Sequence, residues 1–146
     1  MGSGTGGGIV INPASGGSAQ VALERVTVNG NAFGVAADGT GSTGGINMTI
    51  TDSMIGGNSQ DGIIATTPGG GAPIGVMVTN TKSVNNAAFG IRAIGPGVTV
   101  RVGDSTITGN NTGLSFSGGG ALLTYGTNKV QANGSDGAFS GAVALQ

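Results

Sequence analysis

Short runs of alternating apolar and polar residues, broken by glycine and asparagine, recur along most of the chain. The clearest copy spans residues 100–116, where two short strands share one face and a third strand follows the turn GNNTG. The shared face consists of Val100, Val102, Ser105 and Ile107. Alternation with a period of two, interrupted by turn residues, is typical of half-buried strands joined by tight turns. The pattern predicts an all-β unit of three short strands, repeated imperfectly along the chain.

Each copy begins with a glycine that opens its first strand. The glycines are 26, 28, 28, 23 and 24 residues apart: Gly8, Gly34, Gly62, Gly90, Gly113 and Gly137. The residue after each glycine is predicted to point inward: Ile9, Val35, Ile63, Ile91, Leu114 and Ala138. A second inward column follows two residues later: Ile11, Ala37, Ala65, Ala93, Phe116 and Ser140. The residue between them varies freely and is predicted to point outward: Val10, Ala36, Ile64, Arg92, Ser115 and Phe139.

The second and third strands supply three more inward columns. The second strand gives Val21, Met48, Val76, Val100 and Leu123, and then Leu23, Ile50, Val78, Val102 and Tyr125. The third strand gives Val28, Ile55, Val84, Ile107 and Val130. From the second strand to the end of the third the spacing is 7, 7, 8, 7 and 7 residues, whereas the spacing from first to second strand varies between 10 and 14. One loop in each copy is therefore free to vary in length.

A single copy cannot bury its apolar face, but stacked copies can. Stacking them about 4.8 Å apart pairs each strand with its counterparts in parallel ladders and builds one continuous core. The predicted fold class is therefore all-β, a single-stranded right-handed parallel β-helix (solenoid) of about five coils with three short strands per coil. We expect residues 1–7 to be a flexible leader, 8–140 the β-helix domain, and 141–146 a tail over the last coil.

The recurring segments NAFGV, NSQDGI, NAAFGI and NNTGL resemble those of pectate-lyase-like right-handed parallel β-helix proteins. The resemblance covers roughly residues 8–140 and is strongest to bacterial β-helix repeat proteins of unknown function. It implies the solenoid fold and brings no activity with it, because many unrelated functions share that fold.

The amino-acid composition excludes several kinds of structure and binding partner. The 33 glycines follow no Gly-X-Y period and suit a chain that turns three times per coil, where glycine supplies positive φ. A net charge of −1 with 8% charged residues gives no electrostatic basis for binding nucleic acid or an anionic membrane. The chain has no apolar run of about 18 residues that could span a bilayer. The absence of cysteine excludes disulfides and thiolate metal sites.

The acidic residues are not spaced as a catalytic or metal-binding cluster. Asp52 and Asp104 share a turn column but lie two coils apart, about 9–10 Å by strand spacing, and Asp52 is expected to pair with Arg25 on the surface. Asp61 and Asp136 lie three coils apart. Because the chain also lacks histidine, we predict no catalytic, cofactor-binding or metal-binding residue, and no enzymatic activity.

An asparagine occupies the turn before each glycine from the second copy onward. These residues are Asn31, Asn58, Asn86, Asn110 and Asn133. Amide side chains stacked inside a solenoid can hydrogen-bond from coil to coil and satisfy turn carbonyls. We interpret the column as structural, and ligand binding by the same amides is the alternative hypothesis.

The predicted function is a non-catalytic structural or interaction module, whether whole or a fragment of a longer secreted or cell-surface protein. The alternative is a protein that binds or cleaves a glycan along the sheet of first strands. The first strand is apolar and uncharged, and an unprotected strand edge favours association. We therefore predict Ile9, Val10 and Ile11 as an association edge that joins copies into a homodimer or short stack through their N-terminal coils.

Overall fold

The computed structural model describes residues 6–144. Within that range the chain forms sixteen strands and no helix. In chain order the strands are β1 (Gly7–Ile11), β2 (Ser18–Glu24), β3 (Thr27–Asn29), β4 (Phe33–Asp38), β5 (Gly45–Thr51), β6 (Met54–Gly56), β7 (Ile63–Thr66), β8 (Ile74–Thr79), β9 (Lys82–Val84), β10 (Phe89–Ile94), β11 (Val98–Gly103), β12 (Thr106–Thr108), β13 (Thr112–Ser117), β14 (Ala121–Thr124), β15 (Lys129–Val130) and β16 (Gly141–Ala142).

The strands form three parallel sheets. The first sheet has the order β1-β4-β7-β10-β13, the second β16-β14-β11-β8-β5-β2, and the third β15-β12-β9-β6-β3. Within each sheet every strand pairs in parallel with its counterpart in the adjacent coil. This arrangement confirms the predicted solenoid of about five coils with three strands per coil.

The predicted inward columns form one continuous core through the middle coils. In the first sheet Val35, Ile63 and Ile91 are in register and fully buried. In the second sheet the buried columns are Met48, Val76 and Val100, and Ile50, Val78 and Val102. Burying a side chain of this size stabilises the folded chain by about 1.5–3 kcal/mol relative to exposing it. The stacked columns therefore hold the coils together.

In the third sheet, the inward residue of β9 is Ser83, and the prediction of Val84 is wrong. Ser83 pairs with Ile55 and Ile107 and is 1% exposed. Its Oγ donates a hydrogen bond of 2.7 Å to the carbonyl of Gly90, which satisfies the hydroxyl inside an apolar column. The predicted spacing from Val76 to Val84 is eight residues. With Ser83 as the inward residue it is seven, as in the first, second and fourth copies.

In the last coil, β14 is shifted by one residue from the predicted register. Leu122, and not Leu123, pairs with Val100 and is fully buried. Leu123 pairs instead with Arg101, an outward residue. Tyr125 follows the end of the strand and is half-buried, so its predicted inward position is also wrong. Either of two adjacent leucines satisfies the apolar pattern, and only the pairing with β11 distinguishes them.

The predicted sixth copy of the first strand does not form. Residues 136–139 lie outside any strand, and Gly137 has a φ of 70°. The chain passes instead to the second sheet, where β16 pairs with β14. Phe139, predicted to point outward, packs against the core. Phe116, predicted to point inward, is 43% exposed because residues 136–139 form no strand over its column.

The ends of the solenoid differ in detail from the predicted boundaries. Gly7, expected in the leader, is the first residue of β1, and residues 1–5 lie outside the described range. Residues 141–142 of the expected tail extend the second sheet, and residues 145–146 lie outside the described range.

We expect Val78→Asp to destabilise the protein by about 4 kcal/mol or more, because it places an unpaired charge in the centre of the core. Denaturant unfolding followed by circular dichroism measures the change. Met77→Asp is the matched control: the side chain of Met77 is half-buried on the outer face of the same strand, and its change should stay within about 1 kcal/mol. Equal losses in the two variants would contradict the register of β8.

Candidate functional site

The five turn asparagines form a hydrogen-bonded ladder between the third and first sheets. At each step the backbone N–H of one asparagine donates to the Oδ1 of the next, at 3.0–3.2 Å. From Asn58 onward the side-chain Nδ2 donates to the same oxygen, at 2.8–3.0 Å. Asn58, Asn86 and Asn110 are buried, and Asn31 and Asn133 are half-buried at the two ends.

The asparagine ladder has a direction and ends at a charge. Each amide donates toward the C-terminal coil, and Asn133 donates to the Oδ1 of Asp136 from its backbone N at 3.2 Å and from Nδ2 at 2.9 Å. A carboxylate only accepts, so it can take both bonds. Other amide hydrogens reach turn carbonyls, as when Asn110 donates to Ser83 at 3.0 Å. These bonds leave the buried amides little capacity for an external ligand.

The glycine at the start of each first strand is required by the close approach of the next coil, including its ladder asparagine. A Cβ on Gly34, Gly62 or Gly113 would lie 2.5–2.8 Å from an asparagine Nδ2, closer than real Cβ contacts come. The predicted role of glycine, positive φ in turns, applies elsewhere, as at Gly30 and Gly57 with φ of 70° and 63°. The first-strand glycines from 34 to 113 have no positive φ. A Cβ on any of them would also lie 2.5–2.8 Å from a backbone carbonyl of the next coil, so that carbonyl and the amide together exclude a side chain.

A second polar ladder, which the sequence analysis did not identify, joins the second and third sheets. It consists of Ser53, Thr81, Ser105 and Asn128. In each step a backbone N–H donates to the side-chain oxygen of the next residue, at 3.0–3.4 Å. Each serine or threonine hydroxyl donates in turn to the carbonyl two residues before it, at 2.7–2.9 Å. The sequence signal for this ladder is a serine or threonine directly after an aspartate or asparagine, which recurs in three successive copies.

The turn before the second polar ladder uses non-glycine residues with positive φ. Arg25, Asp52, Asn80 and Asp104 have φ between 45° and 53°, a conformation that asparagine and aspartate tolerate best. Asp52 accepts a hydrogen bond of 2.5 Å from Asn80. The predicted Arg25–Asp52 pair is wrong: Arg25 lies 3.3 Å from its neighbour Glu24, and both side chains are exposed. Asp52 and Asp104 therefore occupy a backbone conformation that suits aspartate.

The outer face of the first sheet carries a buried carboxylate, Asp61, which the sequence pattern places three coils from Asp136 and does not predict to be buried. Asp61 is 2% exposed. Its Oδ1 accepts the backbone N–H of Phe89 at 3.3 Å, and its Oδ2 lies 3.7 Å from a terminal nitrogen of Arg92, too far for a hydrogen bond. The Arg92 guanidinium lies over the Phe89 ring, 4.4 Å from its centre. We call Asp61, Phe89 and Arg92 the Asp61 cluster.

The electrostatics of the Asp61 cluster oppose full ionisation. Burial raises the pKa of Asp61 above its ordinary value of 3.8, and the Arg92 charge and the Phe89 amide offset this only in part. The Oδ2 of Asp61 and the Nε of Arg92 are both buried without a hydrogen-bond partner among the described residues. Burying such groups costs folding free energy, because they lose their hydrogen bonds to water and form none with the protein.

A shallow groove of about 350 Å³ lies beside the Asp61 cluster on the same face. Its walls are mostly apolar and include Val10, Phe33, Ala36 and Ile64, with Asp38 at one side. Asp38 pairs with Thr66, five residues along the chain from Asp61, so the two carboxylates are on the order of 15 Å apart. Carboxylate pairs that cleave glycosides lie about 5–10 Å apart. The two acids are therefore not placed as such a pair.

The predicted association edge lies on the first coil. Ile9 and Ile11 point inward and are half-buried, and Val10 points outward and is 52% exposed. Their counterparts Val35 and Ala37, one coil further, have no exposed surface. In the described chain β1, β2 and β3 are the edge strands of the three sheets at this end.

No protein-family model, curated protein or solved structure matches this chain. The described residues contain no helix of the length and apolarity that crossing a bilayer requires. They also contain no group of three or more aspartate, glutamate, histidine or cysteine residues placed to hold a metal ion.

We expect Gly62→Ala to destabilise the protein by about 2 kcal/mol, because the added methyl would lie 2.5 Å from both Asn86 Nδ2 and Ser83 Oγ. Gly69→Ala is the matched control, since a Cβ there meets nothing within 4 Å and needs no positive φ. It should leave stability unchanged or raise it by up to about 1 kcal/mol. Chemical denaturation compares the two, and a tolerated Gly62→Ala would contradict the close packing of the ladder.

We expect Asp61→Asn to be at least as stable as the parent at pH 7. The raised pKa means that folding favours the protonated carboxyl, so the contribution of Asp61 to stability is largest below about pH 3.8 and is lost as pH rises through the folded-state value. The advantage of the variant should therefore shrink between pH 7 and pH 3, as melting temperatures across that range would show. An advantage that grows toward pH 3 would mean that attraction to Arg92 outweighs burial.

Proposed function

We propose that this chain is a non-catalytic interaction module that forms a homodimer through its N-terminal coil. The observation that supports this most directly is the exposure of inward-pointing residues in that coil. Those packed on the core but only half-buried are Ile9, Ile11, Ala19, Val21 and Leu23. Their counterparts in the second coil are at most 2% exposed. A second copy placed on this layer would bury it.

The backbone of the N-terminal coil supports the same proposal. The outer edges of β1, β2 and β3 carry N–H and C=O groups directed away from their only described neighbour strands. Natural sheets protect such edges with charged side chains, and β1 has none. Glu24 and Arg25, at the end of β2, are paired with each other. Glu24 and Arg25 are the charged side chains among the described residues of this coil, and their opposite charges leave no net charge against the approach of a second copy.

The C-terminal coil is better covered by polar groups. Asp136 ends the asparagine ladder, and the Ser140 hydroxyl accepts from the N–H of Leu122 at 2.8 Å and donates to its carbonyl at 3.0 Å. β15 carries Lys129, a charge of the kind that blunts an edge. Contact between two N-terminal coils is self-complementary and closes at a dimer, whereas contact of one end with the other would continue into a filament.

The glycan alternative has weaker support. The groove on the first sheet offers one aromatic ring, Phe33, for stacking on a sugar. Of its other walls, Val10, Ala36 and Ile64 are aliphatic, and only the side chains of Asp38 and Thr66 can hydrogen-bond to sugar hydroxyls. For this reason we propose self-association and not glycan binding as the function.

We expect light scattering after size exclusion to give a dimer mass at high concentration and a monomer mass on dilution. Val10→Lys and Ile11→Lys should each restore the monomer, because they add charge at the contact edge. Phe116→Lys is the matched control at the other end, where it changes an apolar residue that is 43% exposed, against 52% for Val10, and it should leave the dimer intact. A constant monomer mass, or dissociation only by Phe116→Lys, would refute the N-terminal interface.

A further inference from the structure

The Asp61 cluster lies within a larger aromatic arrangement on the outer face of the first sheet. The N–H of Gly34 donates to the Asp61 carbonyl, and the N–H of Gly62 donates to the Phe89 carbonyl. These bonds place Phe33, Asp61 and Phe89 at the same position of three successive coils, about 4.8 Å apart. The carboxylate therefore lies between two aromatic residues, one in the coil before it and one in the coil after it.

Arg92 is an imperfect partner for this carboxylate. Its terminal nitrogen stays 3.7 Å from Asp61 Oδ2, and neither that oxygen nor Arg92 Nε has a hydrogen-bond partner in the described chain. A well-formed arginine–carboxylate pair makes two parallel hydrogen bonds at about 2.7–2.9 Å. The Arg92 side chain is also 32% exposed, so it can leave the cluster for solvent without moving the backbone.

The groups around Asp61 share one recognition chemistry. A carboxylate oxygen without a donor attracts a cation that carries N–H groups, and the face of an aromatic ring attracts the same cation. Arg92 already shows the second interaction, 4.4 Å from the centre of the Phe89 ring. The apolar groove beside Phe33, bordered by Ala36 and Ile64, can take an aliphatic chain attached to the cation.

We propose that Phe33, Asp61 and Phe89 form a binding site for an organic cation, an alkylguanidinium or alkylammonium group, in which Arg92 is a displaceable internal occupant. The ligand places its charged head against Asp61 Oδ2 and its aliphatic chain along Phe33. The cation can be a free alkylguanidinium or alkylammonium compound, or an arginine or lysine side chain of a peptide, because these present the same two head groups. The groove shares Val10 with the proposed N-terminal interface, whereas Asp61 and Arg92 lie in later coils. The test below changes only residues of those later coils, so each proposal can fail without the other.

The test measures the affinity of butylguanidinium for the full chain by calorimetry. Arg92→Ala removes the internal competitor and should bind the probe at least about tenfold more tightly than the parent. Arg101→Ala is the matched control: it removes an arginine from the outer face of the second sheet that makes no ion pair with a described residue, and its affinity should equal that of the parent. Butanol, which lacks the charge, should not bind to Arg92→Ala.

A second variant distinguishes recognition of the probe by the carboxylate from nonspecific binding to the cluster once Arg92 is removed. In the Arg92→Ala background, Asp61→Asn keeps the shape and removes the charge, so the affinity should fall at least about tenfold. Arg92→Gln, which retains a side-chain stem over Phe89, gives the same comparison if the alanine variant unfolds. Equal affinity in Arg92→Ala and Arg101→Ala, or affinity that survives Asp61→Asn, would overturn the proposal.

The source of the cation follows from one further probe on the Arg92→Ala chain. Blocked arginine amide has the same head group as butylguanidinium and adds two peptide groups. Tighter binding of the amide would identify a peptide side chain as the source, and equal or weaker binding would identify a free small-molecule cation. Both results require butylguanidinium to bind, so absence of binding by both probes would overturn the proposal.

Discussion

Every feature of this protein depends on one constraint, the strand spacing that adjacent coils must keep in all three sheets at once. Because each strand pairs with its counterpart above and below, residues at equivalent positions face one another at about 4.8 Å. At that spacing similar side chains stack on each other, as Ile63 on Ile91 or Asn86 on Asn110. The residue type at each position therefore depends mainly on the side chains at the equivalent positions of the adjacent coils.

The constraint explains why the fold could be predicted and where the details could not. Equivalent positions repeat at nearly constant intervals, so the columns were visible in the sequence. The errors arose where two adjacent residues satisfied the apolar pattern equally well, as with Leu122 and Leu123, or where a polar residue occupied an inward position. Ser83 is such a case, because its hydroxyl finds a carbonyl at 2.7 Å that only the folded chain brings near.

The polar sites also differ in how far the sequence predicts them. The asparagine column could be read from the sequence because one residue type recurs before a glycine. The second polar ladder was missed because its four positions hold serine, threonine, serine and asparagine, so no single residue type marks the column. Asp61 could not be recognised at all, since the residues it contacts, Phe89 and Arg92, lie 28 and 31 residues further along the chain. A site formed by residues of different coils leaves no recognisable pattern in any short stretch of the sequence.

The direction of the asparagine ladder bears on how such a protein lengthens in evolution. Each rung accepts from the rung before it and donates to the rung after it, and the carboxylate of Asp136 accepts the last two bonds without passing them on. A coil added after Asp136 would meet an acceptor where it needs a donor. A duplicated coil inserted between two internal rungs would continue the ladder and leave its ending untouched. Duplication of an internal coil therefore preserves the hydrogen-bond pattern of the ladder, whereas a coil added directly after Asp136 interrupts it.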